Sequence, residues 1–180
     1  MLQLAGEICD GVHLHPFCTR SYMEDIALPL IYKGLQFSSI SRESFQIAGG
    51  GFLVTGATDS DVAKAMEWTR YRIAFYGSTP SYWPVFEHHG LGELGRKLNF
   101  MTKQGLWDKL AEQISDDTLQ LFAAIGRHDQ LTEAIKIRFG DCTDMIYSNL
   151  SADNKGMLPA GLLQDIQKLA VPFRKFNRAW

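Results

Sequence analysis

The first side chains in the chain that could do chemistry are two cysteines and two histidines in the stretch "CDGVHLHPFC". Cys9, His13, His15 and Cys18 lie within ten positions, and thiolate and imidazole groups are common zinc ligands. Structural zinc sites pair their ligands at short spacings such as C-x₂₋₄-C, with a second matching pair elsewhere. The order C-x₃-H-x-H-x₂-C does not have this form, so we expect no metal site.

The same stretch alternates apolar and polar residues, with Val12 and Leu14 against His13 and His15. This period of two predicts a β-strand. Residues two apart on a strand share a face, so both imidazoles should point the same way. His15 lies nearer the carboxyl end of the strand and is therefore the better candidate to line a site. A hydrogen-bonded core or surface histidine is the alternative.

A second candidate region is the segment "RIAFYGSTPSYWPVFEHHGLGELG", residues 72 to 95. It is too polar for a buried helix and too aromatic for a linker. Its Ser-Thr-Pro step at 78–80 predicts a helix start, because Ser and Thr cap helices and Pro suits the first turn. Tyr82 and Trp83 follow, and they could close a flat pocket over a substrate. The alternative is that these aromatic side chains only pack the segment onto the rest of the fold.

The remaining polar clusters indicate no familiar catalytic arrangement. "AGGGF" has the form of neither phosphate-binding glycine loop, so a bulge or a close backbone approach is the expected role of its glycines. No Ser-His-Asp set or pair of catalytic carboxylates is visible. We expect the pairs His88-His89 and Asp116-Asp117 to be solvated loop or helix-cap residues.

Helices and strands alternate in the elements that must position these residues. Pro29 is expected to kink or end the second helix early, and Thr58 or Asp59 to cap the third. Strands alternating with helices imply parallel βαβ units and an α/β fold. The predicted order is a helix at 2–9, a strand at 11–17, a helix from Thr19 or Ser21 to Lys33, a strand region at 44–56, a helix after residue 58, helices near 92–104, 106–114 and 116–124, a helix in "RHDQLTEAIKIRF", a strand in "CTDMIYSNL" and a helix near Pro159.

Composition excludes several classes of function. The 180 residues are 46% hydrophobic and 21% charged, with a formal charge of −2, and they lack the clustered basic residues that bind nucleic acid. No apolar run approaches the roughly 18 residues that span a bilayer, and the first residues do not resemble a signal peptide. Three scattered cysteines favour a reducing compartment. We therefore expect a cytoplasmic protein with no membrane or nucleic-acid partner.

Four segments together resemble the luciferase-like monooxygenase superfamily, and in particular its branch of deazaflavin (coenzyme F420)-dependent oxidoreductases. They are "LAGEICDGVHLHPF", "FLVTG", "RIAFYGSTPSYWPVFEHHG" and "FAAIGRHDQLTEAIKIRFGDCTDMI". The resemblance implies an α/β fold that is the C-terminal portion of a (β/α)₈ TIM barrel. About three parallel strands resemble the sixth to eighth strands of that barrel, with a helical insertion at about 76–125. Residues 1–180 would then form a single partial domain, shorter than the roughly 250 residues of a whole barrel.

The resemblance also implies where a cofactor and a substrate would lie. Active sites of TIM barrels form at the carboxyl ends of the strands, which places His15, Pro16 and Phe17 at the cofactor. Thr55 and the later aromatic segment would line the substrate. Family members hold anionic cofactor groups at the start of a helix that here begins at Met1, so we expect only the rim of that cradle, at Leu2 and Gln3. The expected substrate-lining residues are Thr55, Ser78, Thr79, Tyr82 and Trp83.

The function implied by this resemblance is hydride transfer between coenzyme F420 and a small organic substrate, performed by a chain that is truncated at its beginning. One alternative keeps the fold but uses FMN and O₂ in a monooxygenase. Another is a non-catalytic remnant, or a half-barrel that self-associates or needs a complementing N-terminal half. The sequence indicates neither the proton donor nor the substrate.

Overall fold

The computed structural model describes residues 1–147 and 158–176 and shows an α/β fold whose strands pair in parallel. The four strands are β1 (Gly11–Leu14), β2 (Gln46–Gly49), β3 (Phe52–Gly56) and β4 (Ala123–Arg127). The α-helices are α1 (Leu2–Ile8), α2 (Arg20–Tyr22), α3 (Leu28–Ser38), α4 (Asp59–Gly77), α5 (Trp83–His88), α6 (Gly92–Lys103), α7 (Asp116–Phe122), α8 (Leu131–Phe139) and α9 (Ala160–Gln167).

The strands form two small parallel sheets. In the first sheet β1 pairs with β2, with Gly11 opposite Gln46 and Leu14 opposite Gly49. A parallel bridge from Ala48 to Met145 extends this sheet on its other side. In the second sheet β3 pairs with β4. The parallel pairing expected from the alternation of strands and helices is therefore observed.

The expected neighbours of the strands need one correction. "FLVTG" was expected between "GVHLHPF" and "DMIYSN", but β2 occupies that middle place, and "FLVTG" is β3, paired with β4. The break comes from Gly49 and Gly50, whose φ angles of 85° and 93° are left-handed and favour glycine. They turn the chain out of the first sheet, so one predicted strand region becomes two strands. Of the last predicted strand, residues 148–150 lie outside the described residues.

The strand β4 was not predicted, because residues 116–124 were assigned to a helix. The observed helix α7 ends at Phe122, and β4 follows with Ala123 directly. Nothing between them is a turn signal, and "AAIGR" contains a single β-branched residue. The pairing with β3 is therefore a tertiary decision that overrides weak local preference.

The helix after β1 continues past Pro29, where a kink or an early end was expected. Thr19 caps α2 by accepting a hydrogen bond from the Tyr22 N–H. A π-helical turn (Met23–Ala27) then links α2 to α3, and Pro29 lies in the first turn of α3. A proline donates no backbone hydrogen bond and is tolerated at that position, and π-turns occur as single insertions in α-helices. The helical path therefore reaches Ser38.

The core consists of three apolar clusters that join the sheets to the helices. One centres on Phe17, β3, α4 and the helices that follow it, and it includes Phe86 and Phe122. A second lies between β1, β2 and the helix α3, and a third between β3, β4, α8 and α9. The helix α4 starts with a capping box in which Thr58 and Asp61 bond reciprocally, as the sequence predicted for this cap.

Candidate functional site

Aromatic rings gather around His15, just past the carboxyl end of β1. The imidazole lies edge-on to the ring of Tyr76, with centroids 4.5 Å apart, and 4.8 Å from the ring of Tyr82. Phe17 is buried beneath, 5.5 Å from Tyr82. We call His15, Phe17, Tyr76 and Tyr82 the aromatic cluster. The structure thus brings together three residues that the sequence singled out from two distant segments.

The protonation of His15 follows from its hydrogen bonds and neighbours. Its Nδ1 accepts a hydrogen bond of 3.0 Å from the Phe17 N–H, so the neutral ring carries its proton on Nε2. Burial lowers the pKa of His15, and the charges of Arg72 and His13 lower it further. At neutral pH the ring is therefore uncharged and can donate a hydrogen bond through Nε2. Part of the His15 side chain remains open to solvent.

Arg72 and Tyr76 belong to this site and were missed by the sequence reading. The guanidinium of Arg72 lies over the rings of Trp68 and Tyr76, 4.7 Å and 5.1 Å from their centroids. Its Nη2 also donates to the Tyr76 hydroxyl at 2.5 Å. Trp68, Arg72 and Tyr76 are spaced four apart on α4, so they share one helix face. That spacing is visible in the sequence and was the available signal.

Ser78 and Trp83 are used to hold the segment that carries Tyr82. The Ser78 hydroxyl donates to the Phe75 carbonyl at the end of α4, so it closes that helix instead of starting the next. The Trp83 Nε1–H donates to the Gly77 carbonyl at 3.1 Å. The side chain of Thr79 is exposed and makes no cap bond, although it precedes a 3₁₀ turn (Pro80–Tyr82) as the helix-start signal predicted.

Thr55 and Pro16 differ in how far they are open to a ligand. Thr55 lies in β3 opposite Gly126 and is only 2% exposed. Its Oγ1 has no hydrogen-bond partner within the described part of the chain. Pro16 is half-buried between His15 and Phe17, and its carbonyl accepts from the Cys18 N–H. Substrate lining by Thr55 and cofactor contact by Pro16 stay predictions.

The His88-His89 pair was expected to be solvated loop or helix-cap residues, and His89 is indeed the C-cap of α5, while both side chains are half-buried. The Nε2 of His89 lies 2.7 Å from the Thr19 hydroxyl and 3.4 Å from the Ser21 hydroxyl. His88 contacts Asp25 through a 3.2 Å N–O approach. Both imidazoles therefore tie the end of α5 to the start of the helix after β1. Two adjacent histidines in a sequence do not by themselves predict such a long-range contact.

Metal sites and membrane-spanning helices are two further possibilities for the described residues. No cluster of three or more His, Cys, Asp or Glu side chains that could hold a metal ion occurs within residues 1–147 and 158–176. Over the same ranges, no helix combines the length and apolar character needed to cross a bilayer.

Comparison with known proteins identifies the family. The sequence profile of the luciferase-like monooxygenases matches residues 1–140. The chain belongs to the luciferase-like monooxygenase family. The resemblance seen in its four segments is thereby confirmed, and the aromatic cluster lies inside the matched part.

Individual luciferase-like relatives are similar over most of this chain. An uncharacterised protein of Mycobacterium tuberculosis is 33% identical over 168 residues, which cover 93% of this chain and 49% of that protein. The 5,10-methylenetetrahydromethanopterin reductase of Archaeoglobus fulgidus is 30% identical over 142 residues, which cover 75% of this chain and 40% of the reductase. The chain therefore spans about half the length of the curated relatives that it matches.

A solved structure shows the same fold. The coenzyme F420-dependent tetrahydromethanopterin reductase of Methanopyrus kandleri superposes with a TM-score of 0.67 at 19% identity, over 93% of this chain and 45% of the reductase. The luciferase-like chain thus matches part of that protein's α/β fold. The assignment of its strands to the sixth, seventh and eighth of a barrel stays a prediction.

Proposed function

We propose that this chain forms the C-terminal, substrate-side portion of a luciferase-like oxidoreductase that transfers a hydride between coenzyme F420 and a small organic substrate. The observation that carries the proposal is the aromatic cluster at the carboxyl end of the parallel strand β1. In barrel enzymes the chemistry occurs at that end of the strands. Support for a deazaflavin comes from the reductase of Archaeoglobus fulgidus and the F420-dependent enzyme of Methanopyrus kandleri.

In this proposal a flat, conjugated ring lies against the exposed His15 and the half-buried Tyr76 and Tyr82. Tyr82 and the imidazole of His15 are tilted by 34° to each other, and Tyr76 stands edge-on at 88°. Such rings form walls for planar ligands by offset stacking and edge contacts. A deazaflavin would supply the hydride chemistry, while the protein supplies binding and orientation. In this proposal His15, Pro16 and Phe17 contact the cofactor.

His15 would supply a hydrogen bond without supplying a charge. Its neutral ring donates through Nε2, because Nδ1 is occupied by the Phe17 N–H. Burial and the nearby Arg72 charge keep its pKa low, so the donor form persists at neutral pH. A fixed uncharged donor can orient a carbonyl of a ring or substrate without repelling a cation. Tyr82 would stack on the cofactor and, together with the exposed Thr79, line the substrate side.

The direct test is a spectroscopic titration of the protein with coenzyme F420 and, separately, with FMN. We expect F420 to bind more tightly than FMN, and Tyr82→Ala and His15→Ala each to weaken F420 binding by about tenfold, through the loss of stacking and of one hydrogen bond. Tyr32→Ala is the matched control, because Tyr32 is partly exposed on α3 and is not in the aromatic cluster.

Three results would count against the proposal. Tighter binding of FMN than of F420 would favour the oxygen-dependent monooxygenase. Equal losses in Tyr82→Ala and Tyr32→Ala would remove the aromatic cluster from the site. Absence of binding even when the chain is supplied with an upstream barrel half would favour a non-catalytic protein.

A further inference from the structure

A cavity of about 680 Å³ lies outside the aromatic cluster. Its walls come from the start of the helix after β1, the loop after α5, the strand β4 and the helix α8, and none of its lining residues belongs to the cluster. One end is polar and is lined by Thr19, Arg20, Ser21, Glu24, His89 and Arg138. The remaining wall is mainly apolar, and it includes Met66, Leu121, Ala124, Ile125 and Ala134.

Arg138 is a buried cation without a counter-charge bound to it. The side chain is only 6% exposed, and its Nη2 donates to the carbonyls of Cys18 and Gly50 at 2.6 Å and 2.9 Å. Among the described residues its Nε and Nη1 have no hydrogen-bond partner and it forms no ion pair, although the guanidinium lies 4.8 Å from the centre of the Phe139 ring. The nearby Glu24 carboxylate is 2.8 Å from Arg20 and is engaged there.

This arginine remains charged despite its burial. Desolvation lowers its pKa to about 10, which is still well above neutral pH. An unpaired charge removed from water is costly, and proteins normally compensate it with an opposite charge or further hydrogen bonds. An anion in the cavity would complete the pairing that the protein itself leaves unmade.

Apart from the ion pair of Arg20 and Glu24, the other polar groups at this end are uncharged. His89 Nε2 is within 2.7 Å of the Thr19 hydroxyl and 3.4 Å of the Ser21 hydroxyl. Burial lowers the pKa of His89, and the charges of His88 and Arg138 lower it further, so the imidazole is neutral at pH 7. The cavity therefore carries the paired charges of Arg20 and Glu24, the unpaired positive charge of Arg138 and neutral hydrogen-bonding groups.

We propose that this cavity binds a small organic acid, with its carboxylate at Arg138 and its hydrocarbon chain along the apolar wall formed by β4 and α8. Because Nη2 already donates to two carbonyls, the carboxylate would accept a single charge-assisted hydrogen bond from the unpartnered Nε or Nη1. A single uncompensated charge suits a monoanion better than a phosphate dianion. The volume lies within the range of roughly 300–1,000 Å³ that small-molecule sites occupy. The proposal does not depend on the hydride-transfer function.

The test is calorimetric titration of the 180-residue chain with hexanoate, acetate and inorganic phosphate. We expect hexanoate to saturate one site and to bind at least about tenfold more tightly than acetate, because its extra methylene groups leave water. Phosphate should bind more weakly than hexanoate. Arg138→Met should weaken hexanoate binding by about tenfold or more, and Arg138→Lys by less, since lysine keeps the positive charge.

Two further variants keep the test decisive. Arg96→Met is the matched control: Arg96 is exposed on α6 and does not line the cavity, so binding should not change. If Arg138→Met fails to fold, as judged by circular dichroism, Ala134→Phe leaves the arginine in place and fills the apolar wall, and it should reduce hexanoate affinity while sparing acetate.

Saturable hexanoate binding that is lost in Arg138→Met or in Ala134→Phe supports the proposal. Absence of saturable hexanoate binding, unchanged affinity in both variants, or binding of phosphate as tight as that of hexanoate would overturn it. A parent chain that binds hexanoate but not F420 would count against the hydride-transfer function alone.

Discussion

The imidazole of His15 contacts the rings of Tyr76 and Tyr82, and the positive charge of Arg72 is close enough to disfavour its protonation. Burial is the larger cause of its low pKa and Arg72 the next. We predict that Arg72→Met raises the pKa of His15, because it removes a like charge from the protonated form. NMR titration of the His15 ring protons measures this, with Arg96→Met as the control that leaves the pKa unchanged. A pKa that is the same in both variants would contradict the electrostatic account.

The two histidines with lowered pKa values also set a pH dependence of stability. His15 and His89 both bind a proton less readily in the folded chain than in the unfolded chain. As pH falls through about 6.5, the unfolded state therefore binds more protons, and the free energy of unfolding decreases. We predict that His89→Gln loses less stability than the parent chain between pH 7.5 and 5.5. Urea denaturation at the two pH values gives the comparison, and equal losses would show that His89 contributes nothing.

Helix packing at the start of the chain depends on two glycines. A Cβ on Gly34 would lie 2.1 Å from the Gln3 carbonyl oxygen, and one on Gly6 would lie 2.5 Å from the Ile31 carbonyl oxygen. The helices α1 and α3 therefore pack backbone to backbone. We predict that Gly34→Ala destabilises the fold by about 1–3 kcal/mol, the usual cost of overpacking. Gly161→Ala in α9 has open space around it, and in denaturant unfolding it should be neutral or stabilising.

Asp144 joins three distant parts of the chain. Its carboxylate pairs with Arg42 through two contacts of 3.0 Å and accepts from the backbone N–H groups of Ile47 and Phe173. The Asp144 side chain is 1% exposed. We predict that Asp144→Asn lowers the free energy of unfolding by about 3 kcal/mol, because it leaves the Arg42 charge largely buried without a partner.

The control for that prediction is the exposed pair of Lys168 and Asp165 on the last helix. Its two atoms are 2.9 Å apart, and both side chains are mostly open to solvent. Asp165→Asn should change the free energy of unfolding by less than about 1 kcal/mol, because solvent screens such pairs. A similar loss in Asp144→Asn and Asp165→Asn would mean that the buried Arg42–Asp144 pair stabilises the fold no more than the exposed pair does.

The whole chain carries apolar surface that its own described elements do not cover. Leu4 and Ile8 on α1 are 45% and 60% exposed, and Phe37 is 80% exposed. Within the described residues, β1 pairs with β2 alone, and an open strand edge together with apolar surface promotes association. We predict that the purified chain self-associates and shows no measurable F420 turnover on its own.

Light scattering coupled to size-exclusion chromatography tests this prediction. Leu4→Glu combined with Ile8→Glu should move the apparent mass towards that of one chain, because the two positions lie one helical turn apart on α1. Phe100→Glu, at an exposed residue of α6, should leave the assembly unchanged. A monodisperse single chain before any substitution, or a tight F420 complex with turnover, would contradict the prediction.

Local patterns in the sequence were enough for the class of fold and for part of the site. The alternation around His13 and His15 predicted β1, and the Thr58 cap predicted the start of α4. The order of strands and helices predicted parallel pairing. The strand pattern and the helix cap depend on residues within one or two turns of one another, so their physical causes are contained in the printed sequence.

The tertiary structure alone decided which segments meet. It pairs "FLVTG" with Ala123–Arg127 and places the Arg138 guanidinium against the Cys18 and Gly50 carbonyls. It also brings His89 onto Thr19, 70 positions away. Such contacts depend on burial and on backbone pairing between distant segments. The free energies of burial and of strand pairing depend on the packing of the whole chain. No local period, cap or spacing in the sequence predicts them.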